Sequence, residues 1–158
     1  MAAEELFRAA KAAMERAYAP YSRFPVGAAV RIESGAVHAG CNIENASYPE
    51  GWCAETTALG HMIMAGGGKV TDIAVVAEKM PRIMPCGGCR QRLSEFVAED
   101  ARLHLCDVNG VLETVPFSSI FPRAFDLDPA ALVRISASTP TAVSASRAGL
   151  IAAASPRS

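Results

Sequence analysis

The sequence predicts an α/β protein, in which helices pack on the faces of a β-sheet. Segments with apolar residues at helical spacing alternate along the chain with short β-branched segments, and this order is typical of such a sheet. Residues 70–78, VTDIAVVAE, are rich in β-branched residues and largely apolar, as expected of a strand that is buried on both faces. At 158 residues, the chain is long enough for one domain with its own core.

The N-terminal part of the chain predicts a helix, two strands and a second helix. Apolar residues recur at helical spacing over residues 4–18, and Pro20 ends this helix. Residues 26–34 and 35–45 are short apolar segments that meet at a Ser-Gly turn, which predicts a pair of strands. Helical spacing returns over residues 53–65, and three consecutive glycines end this second helix.

The C-terminal part of the predicted fold alternates strand and helix once more. The buried strand at 70–78 is followed by a helix over residues 86–99, CGGCRQRLSEFVAE. Residues 101–108, ARLHLCDV, predict another strand, and an Asn-Gly turn then leads into a short strand at 111–115. The alternation ends near residue 126, so the sheet is complete before the last part of the chain.

The composition divides the chain into a domain and a tail. We assign residues 1–129 to the folded domain. Residues 130–158 are rich in Ala, Ser and Thr and contain three arginines but no acid or lysine. Such a segment predicts a weakly structured tail, and a targeting or interaction tail is the alternative.

Charge and hydropathy exclude several classes of partner. The 15 basic and 16 acidic residues give a net charge of −1 without a Lys/Arg run, which argues against binding to nucleic acid through its phosphates. The N-terminal sequence does not resemble a signal peptide, and no segment approaches the roughly 18 apolar residues of a membrane span. We therefore expect a cytoplasmic protein, whose five cysteines serve metal binding or catalysis rather than disulfide bonds.

Three of the cysteines lie where two helices are predicted to begin. Cys86 and Cys89 in PCGGCRQ, residues 85–91, are three residues apart and share one face of a helix start. Cys53 begins the other helix, and the partial positive charge at a helix N-terminus favours thiolates. Three thiolates leave the fourth position of a tetrahedral zinc open, as in catalytic sites. Glu55 would then be the nearby proton carrier.

Two other interpretations of these cysteines remain open from the residues alone. A C-x-x-C motif can be a redox pair, but that interpretation leaves Cys53 and Glu55 without a role. A structural zinc site needs a fourth ligand, for which Cys41 and Cys106 are the candidates. Both fall in predicted strands, where buried and inert cysteines are common.

The sequence resembles the small cytidine deaminases of the three-cysteine, homotetrameric branch over about residues 5–127. CAE followed by PCGGC is the three-cysteine form of the zinc-deaminase signature. Segments in the order expected of that family are YSRFPVGAAV (21–30), CNIENASY (41–48), WCAE (52–55), PCGGCRQ (85–91) and FPRAF (121–125). The resemblance implies a three-layer α/β/α sandwich around a mixed five-stranded sheet. It also implies a homotetramer whose subunits share active-site residues.

The resemblance assigns roles to individual residues. One zinc ion per chain is held by Cys53, Cys86 and Cys89, and Glu55 carries protons between the zinc-activated water and the cytosine ring. The implied substrate contacts are Phe24 in the base pocket, Asn42 and Glu44 at the ribose hydroxyls, the backbone of Ala54 at the pyrimidine, and Tyr48 and Phe125 in a neighbouring subunit's site.

The function implied by the resemblance is zinc-dependent hydrolytic deamination of free cytidine, and of deoxycytidine, in pyrimidine salvage. The products are uridine or deoxyuridine and ammonia. A deaminase of a nucleoside analogue such as blasticidin S shares the metal motifs, but the NIEN segment favours an ordinary nucleoside. The balanced charge counts against a polynucleotide editor, and a non-catalytic structural zinc module is the alternative of a different class.

One position departs from the family's pattern. Family members often have arginine directly after the catalytic glutamate, whereas this chain has Thr56. Three thiolates and one Zn²⁺ carry one net negative charge, which an arginine could offset. We expect the helix N-termini, Arg90 and a hydrogen bond from Thr56 to a sulfur to take over that role.

Overall fold

The computed structural model describes residues 2–127, and the chain divides into two units, Met1–Ala124 and Phe125–Ser158. The predicted tail at 130–158 and the predicted domain boundary at 129 lie outside the described residues. The elements of the first unit are α1 Ala2–Met14, β1 Val26–Ile32, β2 Val37–Cys41, α2 Ala54–Met64, β3 Val70–Ala77, α3 Gly87–Ser94, β4 Val97–Cys106, β5 Val111–Pro116 and α4 Phe117–Ile120, with a 3₁₀ turn at Tyr48–Glu50.

Within the described residues, the five strands form one sheet in the order β2-β1-β3-β4-β5. Strands β3 and β4 are parallel, and the other three neighbouring pairs are antiparallel. The mixed five-stranded sheet is therefore confirmed. The parallel pair requires a crossover connection, and α3 lies in the connection between β3 and β4.

Helices cover both faces of the sheet, which confirms the three-layer α/β/α architecture. On one face, α1 packs on the sheet through a cluster of Leu6, Phe7, Ala10, Met14, Ala29, Ala74, Val76 and Cys106. On the other face, α2, α3 and α4 contribute Ala58, Leu59, Met62, Leu93 and Phe117 to a larger cluster with Val30, Ile73, Val75, Leu103 and Leu105. Strand β3 supplies residues to both clusters, as its apolar run at residues 73–77 predicts.

Two glycines allow the helices to lie close to the sheet. A Cβ atom at Gly27 in β1 would overlap the backbone carbonyl of Ala10 in α1. A Cβ atom at Gly40 in β2 would overlap the backbone nitrogen of Ala58 in α2. Because a close-packed interior cannot absorb such an overlap, Gly40 fixes how closely α2 approaches the sheet edge. The position of α2 matters because its first residues belong to the candidate site.

Two predicted helix ends are wrong, and backbone pairing explains both. Helix α1 ends at Met14 rather than at residue 18, because Tyr18 instead pairs with the Asn42–Glu44 segment: its N–H donates to the Asn42 carbonyl at 3.1 Å. Helix α3 ends at Ser94 rather than at residue 99, since Val97 already pairs with Val70 as the first residue of β4. None of the helices within residues 2–127 is long and apolar enough to cross a membrane.

Candidate active site

The N-termini of α2 and α3 each begin with a cysteine. Cys53 and Cys86 are the N-cap residues of the two helices and have extended backbone conformations. Their carbonyls accept the first helical hydrogen bonds, from the N–H of Thr57 at 3.1 Å and of Arg90 at 2.9 Å. Both thiols therefore lie at helix ends that carry unpaired N–H groups and partial positive charge. The N-cap position also explains how Cys53 and Glu55, two residues apart, can serve one site.

Three thiol sulfurs converge between these helix ends. The Sγ atoms of Cys53, Cys86 and Cys89 lie within 4.8 Å of one another, and those of Cys53 and Cys86 are 3.9 Å apart. A tetrahedral zinc ion with Zn–S bonds of about 2.3 Å requires sulfurs about 3.8 Å apart. The donor set and its spacing therefore fit one zinc ion.

The two other cysteines do not contribute a fourth sulfur. The Cys41 thiol donates to the Arg16 carbonyl at 3.6 Å. The Cys106 thiol donates to the His104 carbonyl at 3.6 Å, and burial raises its pKa to about 12. Among the described residues, the candidate metal ligands form a group of three. This arrangement argues against a closed four-cysteine structural site, because it leaves one tetrahedral position for another ligand.

The thiols of the cluster are polarised by one another. A hydrogen bond with Cys89 lowers the pKa of Cys53 to about 6, and the same hydrogen bond raises the pKa of Cys89. This lowered pKa favours the thiolate form of Cys53. Thiolate rather than thiol is the form that binds a metal.

Glu55 is the buried carboxyl group beside the cluster. It lies in the first turn of α2, and only 5% of its surface is exposed. Burial raises the pKa of Glu55, because a carboxylate loses hydration when it leaves water. A raised pKa brings a carboxyl closer to the operating pH, where it can both accept and return a proton. Glu55 thus has the position and the acidity expected of a proton carrier.

A cleft of about 360 Å³ opens onto Glu55, Cys53 and Cys86. Four further residues proposed from the sequence also line it, namely Asn42, Glu44, Tyr48 and Ala54. The other lining residues are Val26, Ile43, Gly51, Trp52, Val75, Ile83 and Met84, which the sequence did not single out. Trp52 is 51% exposed, and its position directly before the predicted ligand Cys53 was the sequence feature that could have identified it.

Comparison with known proteins identifies the family. The model for the zinc-binding region of cytidine and deoxycytidylate deaminases matches residues 1–104. The chain belongs to this deaminase family. It is 40% identical to a cytidine deaminase of Sporosarcina psychrophila over 79% of this chain and 92% of that protein. It is 43% identical to one from Halalkalibacterium halodurans over 76% of this chain and 91% of that protein.

Solved deaminase structures have the same fold. The cytidine deaminase of Burkholderia pseudomallei is 44% identical, with a TM-score of 0.71 over 77% of this chain and 97% of that one. The cytidine deaminase of Mycobacterium tuberculosis is 36% identical, with a TM-score of 0.70 over 78% of this chain and 96% of that one. This deaminase is thus related to both over nearly their whole length.

Asn42 and Glu44 hold the loop that precedes β1 in this deaminase. The Asn42 side chain accepts from the Val26 N–H and donates to the Phe24 carbonyl, each at 2.9 Å. The Glu44 carboxylate accepts from the Tyr21 N–H at 2.8 Å and from the Ser22 N–H at 3.2 Å. Hydrogen bonding to Ser22 is the main cause that lowers the pKa of Glu44. Both residues therefore shape one wall of the cleft.

The remaining predicted contacts differ in how the structure places them. Phe24 is half-buried and does not line the cleft, and Ser22 Oγ accepts from its N–H at 3.0 Å. Tyr48 lines the cleft and is 75% exposed, with its ring centroid 6.0 Å from that of Tyr21. Phe125 is the first residue of the second unit, and its role stays a prediction.

Replacing Asn42 with Ala should destabilise the deaminase by about 1–3 kcal/mol, because two partly buried backbone groups lose their partner. Chemical denaturation checks this value. Asn45→Ala is the matched control, since Asn45 is exposed and accepts a single local hydrogen bond from the Ser47 N–H. Equal destabilisation by both substitutions would contradict the role of Asn42 in holding the loop.

Proposed function

We propose that this protein is a zinc-dependent cytidine deaminase, which hydrolyses free cytidine and deoxycytidine to uridine or deoxyuridine and ammonia. The observation that carries the proposal is the cluster of three thiols at zinc spacing, two of which line a cleft that also contains the buried Glu55. Relatives that are 40–45% identical are named cytidine deaminases, which supports the substrate.

Cys53, Cys86 and Cys89 would hold the zinc. A zinc ion bound there would supply a nucleophile at neutral pH, because zinc lowers the pKa of bound water to about 7. Glu55 would take a proton from the attacking water and deliver it to N3 of the cytosine ring, while the water oxygen forms a bond to C4. Glu55 then helps to protonate the amino group on C4, so that the C4–N bond breaks and ammonia leaves.

The other lining residues would position the nucleoside. The apolar side chains of Val26, Ile83 and Met84 offer a surface for the base. Glu44 keeps carboxylate lone pairs beyond its bonds to the Tyr21 and Ser22 amides, so it can still accept from a ribose hydroxyl. Asn42 would assist at the ribose, and the backbone of Ala54 would contact the pyrimidine ring. A base contact by Phe24 stays a prediction, since Phe24 does not line the cleft.

Several broader features belong to the same proposal. One zinc ion per chain follows from the single group of three thiols within residues 2–127. A reducing compartment such as the cytoplasm suits an enzyme with free thiols at its metal site. A place in pyrimidine salvage follows from the proposed conversion of free cytidine to uridine. A homotetramer is supported by exposed apolar side chains near the cleft, including Tyr48 and Trp52. Tyr48 and Phe125 would reach a neighbouring subunit's site.

The cleft should discriminate strongly against a 5′-phosphate. Within residues 2–127, its lining includes the carboxyls of Glu44 and Glu55 but no lysine or arginine. A like charge in such surroundings costs several kcal/mol, so we expect kcat/KM for cytidine 5′-monophosphate to be at least about 100-fold below that for cytidine. Measuring both substrates on one preparation checks this, and comparable values would contradict a nucleoside site.

The direct test of the proposed function is the loss of cytidine absorbance on adding the purified protein, with zinc content measured on the same sample. Turnover with bound zinc supports the proposal. Bound zinc without turnover of cytidine would instead support a structural zinc module. Faster turnover of blasticidin S than of cytidine would assign the protein to the analogue deaminases.

A further inference from the structure

A zinc ion held by three thiolates carries one net negative charge, and this chain must offset that charge near the site. The need for this compensation rests on the proposed zinc site. Thr56, the residue after Glu55, is neutral, and its hydroxyl lies 4.0 Å from Sγ of Cys89. That distance is at the outer limit for a hydrogen bond to sulfur, so Thr56 contributes little charge compensation. The N-termini of α2 and α3 supply partial positive charge at Cys53 and Cys86, and a cationic side chain nearby would add a full positive charge.

Arg90, which follows Cys89 directly, uses its guanidinium elsewhere. Its Nε donates to the Pro85 carbonyl at 2.8 Å, and its Nη1 donates to the Ile120 carbonyl at 3.0 Å. Both bonds fix backbone segments: one holds the turn before Cys86, and the other holds the end of α4. Arg90 is therefore a structural link between α3 and α4.

Arg92, on the next turn of α3, extends back toward the start of the helix. Its Nη1 atom is 2.9 Å from where a Cβ atom at Gly88 would lie. The guanidinium thus covers the bare Cα of the residue that precedes Cys89. Arg92 also lines, with Thr56 and Trp52, a groove of about 480 Å³. In the described part of the chain, it forms no ion pair with a carboxylate.

We propose that Arg92 is the cation that offsets the charge of the three-thiolate zinc centre, and that it thereby sets how tightly the protein holds zinc. The guanidinium acts from outside the ligand cluster, so Arg92 is a positioning and charge-balancing residue rather than a ligand. Gly88 belongs to the same arrangement, because any side chain at that position would displace the guanidinium.

The directions in which the pKa values of Cys53 and Glu55 shift agree with this position of Arg92. Hydrogen bonding to Cys89 is the main cause of the low pKa of Cys53, and the charge of Arg92 lowers that pKa further. The same charge partly opposes the rise in the pKa of Glu55 that burial causes. The charge of Arg92 therefore acts on the Cys53 thiol and on the Glu55 carboxyl group, more weakly than hydrogen bonding and burial do.

The test is zinc release from the zinc-loaded protein to a chelator, followed as an apparent zinc dissociation constant. Arg92→Met keeps an unbranched, flexible stem but removes the charged guanidinium, and it should weaken zinc binding about 10-fold. Arg92→Lys keeps the charge and should stay within about 3-fold of wild type. Arg8→Gln makes the same charge change on the exposed side of α1, so it should leave zinc binding unchanged.

Two further variants separate charge from packing. Gly88→Ala displaces the guanidinium without removing it, so zinc binding should lie between wild type and Arg92→Met. Adding Thr56→Arg to Arg92→Met returns a positive charge to the same groove and should restore part of the lost affinity. Circular dichroism on each variant verifies that the fold is retained.

Two outcomes would overturn the inference: Arg92→Met retains wild-type zinc affinity, or Arg92→Met and Arg92→Lys lose affinity equally. An equal loss in Arg8→Gln would likewise overturn it, since the effect would then follow net charge alone. Failure of the wild-type protein to bind zinc would instead contradict the proposed metal site, which keeps the two failures distinct.

Discussion

Replacing Glu55 with Gln is expected to lower kcat for cytidine by about 10²–10⁴-fold, the usual contribution of a general acid–base residue. Glutamine has nearly the same shape and still forms hydrogen bonds, but it cannot take a proton from water and pass it to the ring. Because Glu55 lies outside the group of three thiols, zinc content should not change. Steady-state kinetics and metal analysis on the same preparation check both parts.

The matched control for this substitution is Glu50→Gln. Glu50 is exposed in the 3₁₀ turn between β2 and α2, and it does not line the cleft. The same chemical change there should leave kcat within about 2-fold of wild type. If Glu55→Gln retains wild-type turnover, Glu55 is not the proton carrier.

Replacing Cys86 with Ala should reduce bound zinc from one ion per chain to nearly none and lower kcat by more than about 10³-fold. The loss is large because the metal contributes several kcal/mol to the reaction, and each 1.4 kcal/mol is a factor of ten in rate. Cys86 is the exposed member of the three thiols, so its removal disturbs little packing. The effect can therefore be assigned to the metal.

Cys41→Ala is the control for the loss of a thiol. Cys41 is half-buried in β2, and its thiol donates to the Arg16 carbonyl, outside the cluster. Zinc content and kcat should both be unchanged in this variant. Equal zinc content in wild type and Cys86→Ala, measured by metal analysis, would contradict the assignment of Cys86 as a ligand.

The metal cluster could be predicted because its parts are local. Cys53 and Cys86 are N-cap residues, and helix starts can be recognised from a few neighbouring residues. Strand β3 was equally clear, since its apolar run IAVVA at residues 73–77 is typical of a strand covered on both faces. Local sequence does not show that the two helix starts lie close together in the fold. The family resemblance implied that they do.

Features that depend on pairing between distant segments could not be predicted from local pattern. FVAE at 96–99 continues the helical spacing of α3, but Val97 pairs with Val70 and begins β4. Tyr18 likewise leaves the pattern of α1, because its backbone pairs with the segment after β2. In both places, a tertiary hydrogen bond outweighs a modest helix propensity.

The walls of the cleft were the least predictable part of the site. Val26, Ile83 and Met84 are ordinary apolar residues in sequence, and they become lining residues only through the path of the loops. Asn42 and Glu44 were expected only to contact substrate, yet their side chains also hold the loop before β1. The sequence around Arg92 did not indicate a role at the site, because the contact of Arg92 with Gly88 depends on the rotamer of its side chain in the folded helix.

The most direct test of the central claim is a zinc titration of cytidine turnover by the metal-free protein. If Cys53, Cys86 and Cys89 hold the catalytic zinc, the metal-free protein should be inactive. Activity should then rise linearly with added zinc and reach its maximum at one ion per chain. Full turnover without zinc, or a zinc-loaded protein that leaves cytidine unchanged, would contradict the account.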